Sequence, residues 1–165
     1  RMKAFIKGFG YAFRGIAFGV INERNMRFHV SIFIYMMFFL LHYDFFEVSK
    51  TQFAILLMMS SLVMAGELFN TGIERAADAA TLEKNEFVKT AKDAAAGAVL
   101  VLAIFSVAVG IIILYQPSAF TEMFCYFKNN PLYIAVLAVT LILDGIFILS
   151  GPKKIINFIR GKHND

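Results

Sequence analysis

The chain has 165 residues, of which 59% are hydrophobic and 17% charged, and its mean hydropathy is +0.67. Soluble domains carry about 25% charged residues, so this composition excludes an ordinary water-soluble globule and predicts an all-α membrane protein of one small domain. The net charge of +4 does not indicate a nucleic-acid partner, because the basic residues flank apolar segments and read as topology signals.

In chain order, Arg1–Ile21 comes first. Lys3, Lys7 and Arg14 interrupt Phe5, Ile6, Phe9, Phe13 and Phe18, which predicts an amphipathic helix lying in the membrane interface. Recurring charge and the lack of a clear cleavage site argue against a signal peptide. Four apolar segments follow, at 28–46, 53–69, 94–116 and 132–150. Each approaches the roughly 20 residues that cross a hydrocarbon core, although the first has only a short unbroken apolar run. Residues 1–116 thus read as a surface helix and three spans. Residues 117–165 add an amphipathic stretch, a fourth span and a basic tail. The third span opens on Ala94, Ala95, Ala96, Gly97 and Ala98, small residues suited to close helix packing.

Fourteen of the sixteen basic residues fall on one side of this layout. Arg1, Lys3, Lys7, Arg14, Arg24 and Arg27 precede the first span. Arg75, Lys84, Lys89 and Lys92 separate the second and third. Lys153, Lys154, Arg160 and Lys162 follow the fourth. Only Lys50 and Lys128 lie on the other side. The positive-inside rule then predicts cytoplasmic termini and a cytoplasmic 70–93 loop.

Chemistry concentrates on that side. Glu67, Asn70, Glu74 and Asp78 end an apolar segment, and at about 100° per residue they share one stripe roughly 80° wide. Ionisable groups at membrane depth are costly and mark function, and hard oxygen ligands suit Mg²⁺ and the phosphates it carries. Glu23 precedes the first span, and Lys92–Asp93 open the third. Phosphoryl transfer needs metal ligands, a cation near the phosphates and a group that orients the attacking hydroxyl. Glu23 and Glu74 fit the metal, and Lys92 fits the phosphates. Glu67, closest to the apolar segment, fits a general base. His29 reads as a membrane-edge histidine and the single Cys125 as an apolar filler. No GxxxxGK[ST] or GxGxxG motif is present, nor CxxC, HExxH or a zinc-spaced His/Cys cluster.

ELFNTGIERAAD at Glu67–Asp78 resembles the E-x-x-N-[ST]-x-I-E-x-x-x-D signature of the prokaryotic diacylglycerol kinase family. AKD at Ala91–Asp93, followed by AGAVL, resembles its second motif, and GYAFRG at Gly10–Gly15 with INE at Ile21–Glu23 resembles its N-terminal part. The likeness covers about Arg1–Tyr115. It implies a homotrimer of three-span subunits, each with an N-terminal surface helix, and active sites shared between subunits at the cytoplasmic face of the bacterial inner membrane. By the same resemblance, Glu67 is the catalytic base, while Glu23 and Glu74 bind the Mg²⁺ that carries ATP. Asn70, Lys92 and Asp93 position phosphates and substrate, with Tyr11 and Asp78 nearby. ERNMRFH at Glu23–His29 is similar to the E-x-N-[FM]-R-x-H of undecaprenol kinases. Diacylglycerol kinases of proteobacteria usually lack that Asn and His. Undecaprenol is therefore the favoured acceptor and diacylglycerol the alternative.

One departure from the family stands out: it usually ends after the third span, whereas here a fourth carries Asp144. An acid within the membrane costs about 2.5–3.5 kcal/mol on insertion scales. A non-enzymatic alternative is a small four-helix transporter using Glu67 and Asp144 as ion sites. Transporter sites lie near the midplane, whereas these acids crowd one edge beside lysines.

Overall fold

The computed structural model describes residues 2–80 and 85–160. Six helices and no strand occur among them: α1 (Met2–Asn22), α2 (Arg24–His42), α3 (Lys50–Ala80), α4 (Glu86–Leu114), α5 (Pro117–Asn129) and α6 (Pro131–Ile159). Sequence punctuation explains most of the ends. Ser49 and Gln52 form a reciprocal capping box ahead of α3: the Ser49 N–H donates to Gln52 Oε1 at 2.9 Å and the Gln52 N–H to Ser49 Oγ at 3.3 Å. Asn85 caps α4 by accepting the Phe87 N–H at 2.8 Å. Pro117 and Pro131 occupy the first turns of α5 and α6, where a missing N–H costs nothing.

α3 and α4 form an antiparallel hairpin with the most extensive packing in the molecule. Leu56 and Val63 of α3, with Ala95 and Val99 of α4, are buried. The small residues at Gly66 and Ala95 allow the close approach; a Cβ on Gly66 would lie 2.8 Å from Leu102 Cδ1. α2 runs antiparallel to both α3 and α6. Gln116 closes the opposite end: it accepts the Glu47 N–H at 3.0 Å and donates Nε2 to the Glu47 carbonyl at 3.1 Å. Tyr43, Phe45, Tyr126 and Phe127 cluster beside it.

Among the described residues, three helices are long and apolar enough to cross a membrane by length and composition: α3, α4 and α6. The expected first span at 28–46 falls on α2 and the connection after it. α2 ends at His42 and is not among the three. Arg24, Arg27 and His29 fill its opening turns, so Val30–Leu41 covers roughly 18 Å of a hydrocarbon core about 30 Å thick. α2 packs on α3 and α6 instead of standing alone in lipid. The expected 70–93 loop is also largely helical: α3 continues to Ala80 and α4 begins at Glu86. Of the basic residues counted above, Arg1, Lys84 and Lys162 lie outside the described residues.

α6 is two helices merged across a kink at Gly151, which has φ 71° and ψ 158°. Only glycine occupies this region readily. Pro152 follows it and supplies no N–H to the Ile148 carbonyl, four residues back. The Arg27 guanidinium takes that orphaned acceptor through Nε at 3.1 Å and Nη2 at 2.9 Å. A Cβ at Gly151 would sit 3.2 Å from Arg27. Gly151→Ala is therefore expected to cost about 1–3 kcal/mol of stability, read as a lowered Tm of the detergent-solubilised protein. An unchanged Tm would contradict the account of the kink.

Candidate active site

The polar stripe of α3 is graded by depth. Leu56, Val63, Glu67 and Thr71 form the buried face of this helix, so Glu67 occupies a position where an apolar side chain would normally stand. It is 4% exposed. Asn70 and Glu74 are half-buried, and Asp78 is exposed. The stripe thus passes from the packed interior to the polar end of the bundle in about three turns.

Each member has a local partner. His29 of α2 places Nε2 3.5 Å from Glu67 Oε1. Thr71 donates its hydroxyl to the Glu67 backbone carbonyl at 2.9 Å. Asn70 donates Nδ2 to Glu74 Oε1 at 3.1 Å, while Asn70 Oδ1 is buried without a partner. Lys92 of α4 donates to Asp78 Oδ1 at 2.6 Å, closing the α3–α4 hairpin at its polar end. Asp93 is exposed, one residue further along α4. A cavity of about 260 Å³ lies against this row; Asn25, Phe28, His29, Glu67, Asn70 and Leu100 are among its lining residues. It has one acid, one histidine and two amides in an otherwise apolar wall, which suits a ligand that is mostly apolar with one polar end.

Two predicted site residues stand apart. Glu23 is the single extended residue between α1 and α2, with φ −100° and ψ 122°, and its side chain makes no capping bond. Tyr11 is exposed on α1, where its ring takes the Arg14 guanidinium 4.7 Å from the centroid. It meets none of the other predicted site residues within this chain.

The donor set fits a magnesium ion carried in by phosphates. Among the described residues no three His, Cys, Asp or Glu side chains are close enough to hold a metal alone. Mg²⁺ keeps several waters and is commonly held by one or two carboxylates together with substrate phosphates. Glu23 and Glu74 are the two carboxylates expected from the sequence to serve in this way. The unpartnered Asn70 Oδ1 is an orphaned acceptor of the kind a ligand satisfies.

The sequence reading missed His29 as part of the site, along with Asn25. Both face α3 only because of the α2–α3 register, and the seven-residue connection 43–49 leaves that register open in the sequence.

The profile of the Prokaryotic diacylglycerol kinase family matches residues 10–114. The chain belongs to this family. Within it, the chain is 35% identical over 114 residues to a protein named undecaprenol kinase from Bacillus subtilis, spanning 68% of this chain and 89% of that relative. It is 38% identical over 112 residues to a protein named diacylglycerol kinase from Synechocystis sp., spanning 66% of this chain and 61% of that relative. No solved structure matches the chain significantly. As a member of a lipid kinase family the chain is an enzyme that transfers phosphate to an alcohol group. α5 and α6 lie beyond the family match, so Asp144 and the Gly151 kink belong to an extension.

The orphaned Asn70 carbonyl gives a prediction that separates function from stability. Asn70→Ala removes an unsatisfied buried acceptor together with one hydrogen bond to Glu74. Unfolding stability should change by less than about 1 kcal/mol, while kinase activity falls at least tenfold. A large loss of stability with normal activity per folded molecule would show that Asn70 is purely structural.

Proposed function

We propose that this protein transfers the γ-phosphate of ATP to the hydroxyl of a membrane lipid, with undecaprenol as the favoured acceptor. The observation that carries the reading is the placement of Glu67: a buried carboxylate on the wall of a largely apolar cavity, at the inner end of a row that continues through Asn70 and Glu74 to Asp78 and Lys92. A lipid alcohol entering this cavity brings its hydroxyl to Glu67, and ATP approaches from the polar end.

In the reaction, the lipid O–H bond breaks as its oxygen bonds to the γ-phosphorus. The bond from that phosphorus to the β-phosphate bridging oxygen breaks, and ADP leaves with the electron pair. Glu67 takes the hydroxyl proton. His29 lies beside one carboxylate oxygen and leaves the other to face the acceptor. Lys92, held by Asp78, offers its ammonium to phosphate oxygens, and Asn70 and Asp93 position the transferring group. Glu23 and Glu74 would hold magnesium, which would supply neutralising charge to the phosphates. Tyr11, remote from Glu67 in its own chain, serves a nucleotide site shared between subunits of a homotrimer.

Asn25 and His29 favour undecaprenol. They are the residues of the E-x-N-[FM]-R-x-H pattern that distinguish the two acceptor classes, and both line the cavity beside Glu67. The extent of the match to the Bacillus subtilis relative supports the same choice. The 38% identity to the Synechocystis sp. relative keeps diacylglycerol as the second reading. The described basic residues gather at the Glu67–Lys92 end of the bundle, apart from Lys50 and Lys128. That supports an inner-membrane protein with the site and both termini on the cytoplasmic side.

Purified protein, γ-labelled ATP, Mg²⁺ and separate lipid acceptors test this. Label should enter undecaprenol in preference to diacylglycerol, and Glu67→Gln should lower the transfer rate by about 10²–10⁴-fold. Full activity in Glu67→Gln would remove it as the base, and preference for diacylglycerol would reverse the choice of acceptor.

A further inference from the structure

Three polar contacts fasten the extension to α2 and its approach. Ser31 donates to Asp144 Oδ1 at 2.7 Å, Arg27 donates to the Ile148 carbonyl, and Lys153 donates to Asn22 Oδ1 at 2.7 Å. They follow one antiparallel register, from the interior of α6 to beyond its kink. The last two converge on the corner between α1 and α2, where Glu23 stands.

Arg27 is 5% exposed, and among the described residues it has no carboxylate partner. Its counter-charge comes from helix ends. Besides Ile148, it donates Nη1 to the Val20 carbonyl at 3.3 Å and the Ile21 carbonyl at 3.2 Å. These are C-terminal carbonyls of α1, at the negative end of that helix dipole. The kink at Gly151–Pro152 creates a second exposed carbonyl at Ile148. One guanidinium therefore ties the end of α1 to the bend of α6. Lys153, the residue after Pro152, takes the side chain of Asn22, the last residue of α1.

The Glu23 side chain makes no capping bond; its backbone N–H donates to the Gly19 carbonyl at 2.8 Å, and its carbonyl accepts the Arg27 N–H at 3.3 Å. Just ahead of it, the Arg27 guanidinium holds the Val20 and Ile21 carbonyls and Lys153 holds the Asn22 side chain. We infer that the C-terminal extension is a positioning element for the metal-binding edge of the active site: Arg27 and Lys153, engaged through the Gly151–Pro152 kink, hold the α1–α2 corner so that Glu23 is presented to the metal and its phosphates. This rests on the assignment of Glu23 above. It gives α6 a task beyond anchoring. Partners that orient a metal ligand commonly change metal affinity by about 10–100-fold when removed.

The test uses the full chain in lipid nanodiscs. Pro152→Ala restores an N–H to the Ile148 carbonyl and competes with Arg27, and Lys153→Met removes the bond to Asn22. Mn²⁺ binding is measured by electron paramagnetic resonance with a non-hydrolysable ATP analogue and no acceptor lipid. Each variant should weaken Mn²⁺ binding about tenfold and leave the KM for the lipid acceptor unchanged. Lys153→Arg should restore binding, and Lys128→Met, at the far end of the bundle, should match the parent. Unchanged Mn²⁺ affinity in both variants, or a loss confined to the lipid KM or to thermal stability, overturns the inference. Glu23→Gln is run alongside. If it binds Mn²⁺ normally, the metal role of Glu23 falls and the inference falls with it. If it binds weakly while Pro152→Ala and Lys153→Met bind normally, the inference alone is overturned.

Discussion

Burying a carboxylate is costly unless hydrogen bonds or charges compensate, and Glu67 is 4% exposed on the packed face of α3. The arrangement around it follows from that constraint. α2 brings His29 to one oxygen, α4 contributes small residues that let the hairpin close, and the cavity leaves an opening for an incoming polar group. An acid used only for topology would sit at the helix end, where Asp78 sits in contact with Lys92. In the buried stripe, Glu67 instead stands on the cavity wall with Asn25, His29 and Asn70.

The same demand for satisfied polar groups shapes the extension. In hydrocarbon, every backbone carbonyl needs a donor, and Pro152 withdraws one from Ile148. Arg27 supplies two N–H groups in its place and turns a helix defect into a joint. Ser31 does the same for Asp144, which at the sequence level looked costly for a span and open to an ion-site role. In the structure its Oδ1 accepts a 2.7 Å hydrogen bond from a buried serine, so the acid is accounted for by packing against α2. That weakens the transporter alternative, whose second intramembrane site it would have been.

Local physics was legible in the sequence; long-range register was not. Helix content, the N-terminal helix, the apolar runs of α3, α4 and α6, and the alignment of Glu67, Asn70, Glu74 and Asp78 all follow from periodicity and charge within one segment. The Lys92–Asp78 pair was not legible, because the sequence reading took 70–93 as a loop and gave no register between α3 and α4. His29 beside Glu67 depends on how the 43–49 connection sets α2 against α3, which no local signal specifies. Arg27 looked like one more cytoplasmic charge, because its acceptor is created by a proline more than a hundred residues later. The short unbroken apolar run of the first expected span was legible too, since Arg24, Arg27 and His29 fill the opening turns of α2.

The central claim is a division of labour along α3, with Glu67 serving the lipid hydroxyl and Glu74 serving the metal and its phosphates. The most direct measurement is equilibrium binding of a magnesium-loaded, non-hydrolysable ATP analogue to the protein in nanodiscs without acceptor lipid. Glu67→Gln should bind within about twofold of the parent, whereas Glu74→Gln should bind at least about tenfold more weakly. Equal loss of nucleotide binding in the two variants would contradict the account, because it would place Glu67 on the nucleotide side of the site.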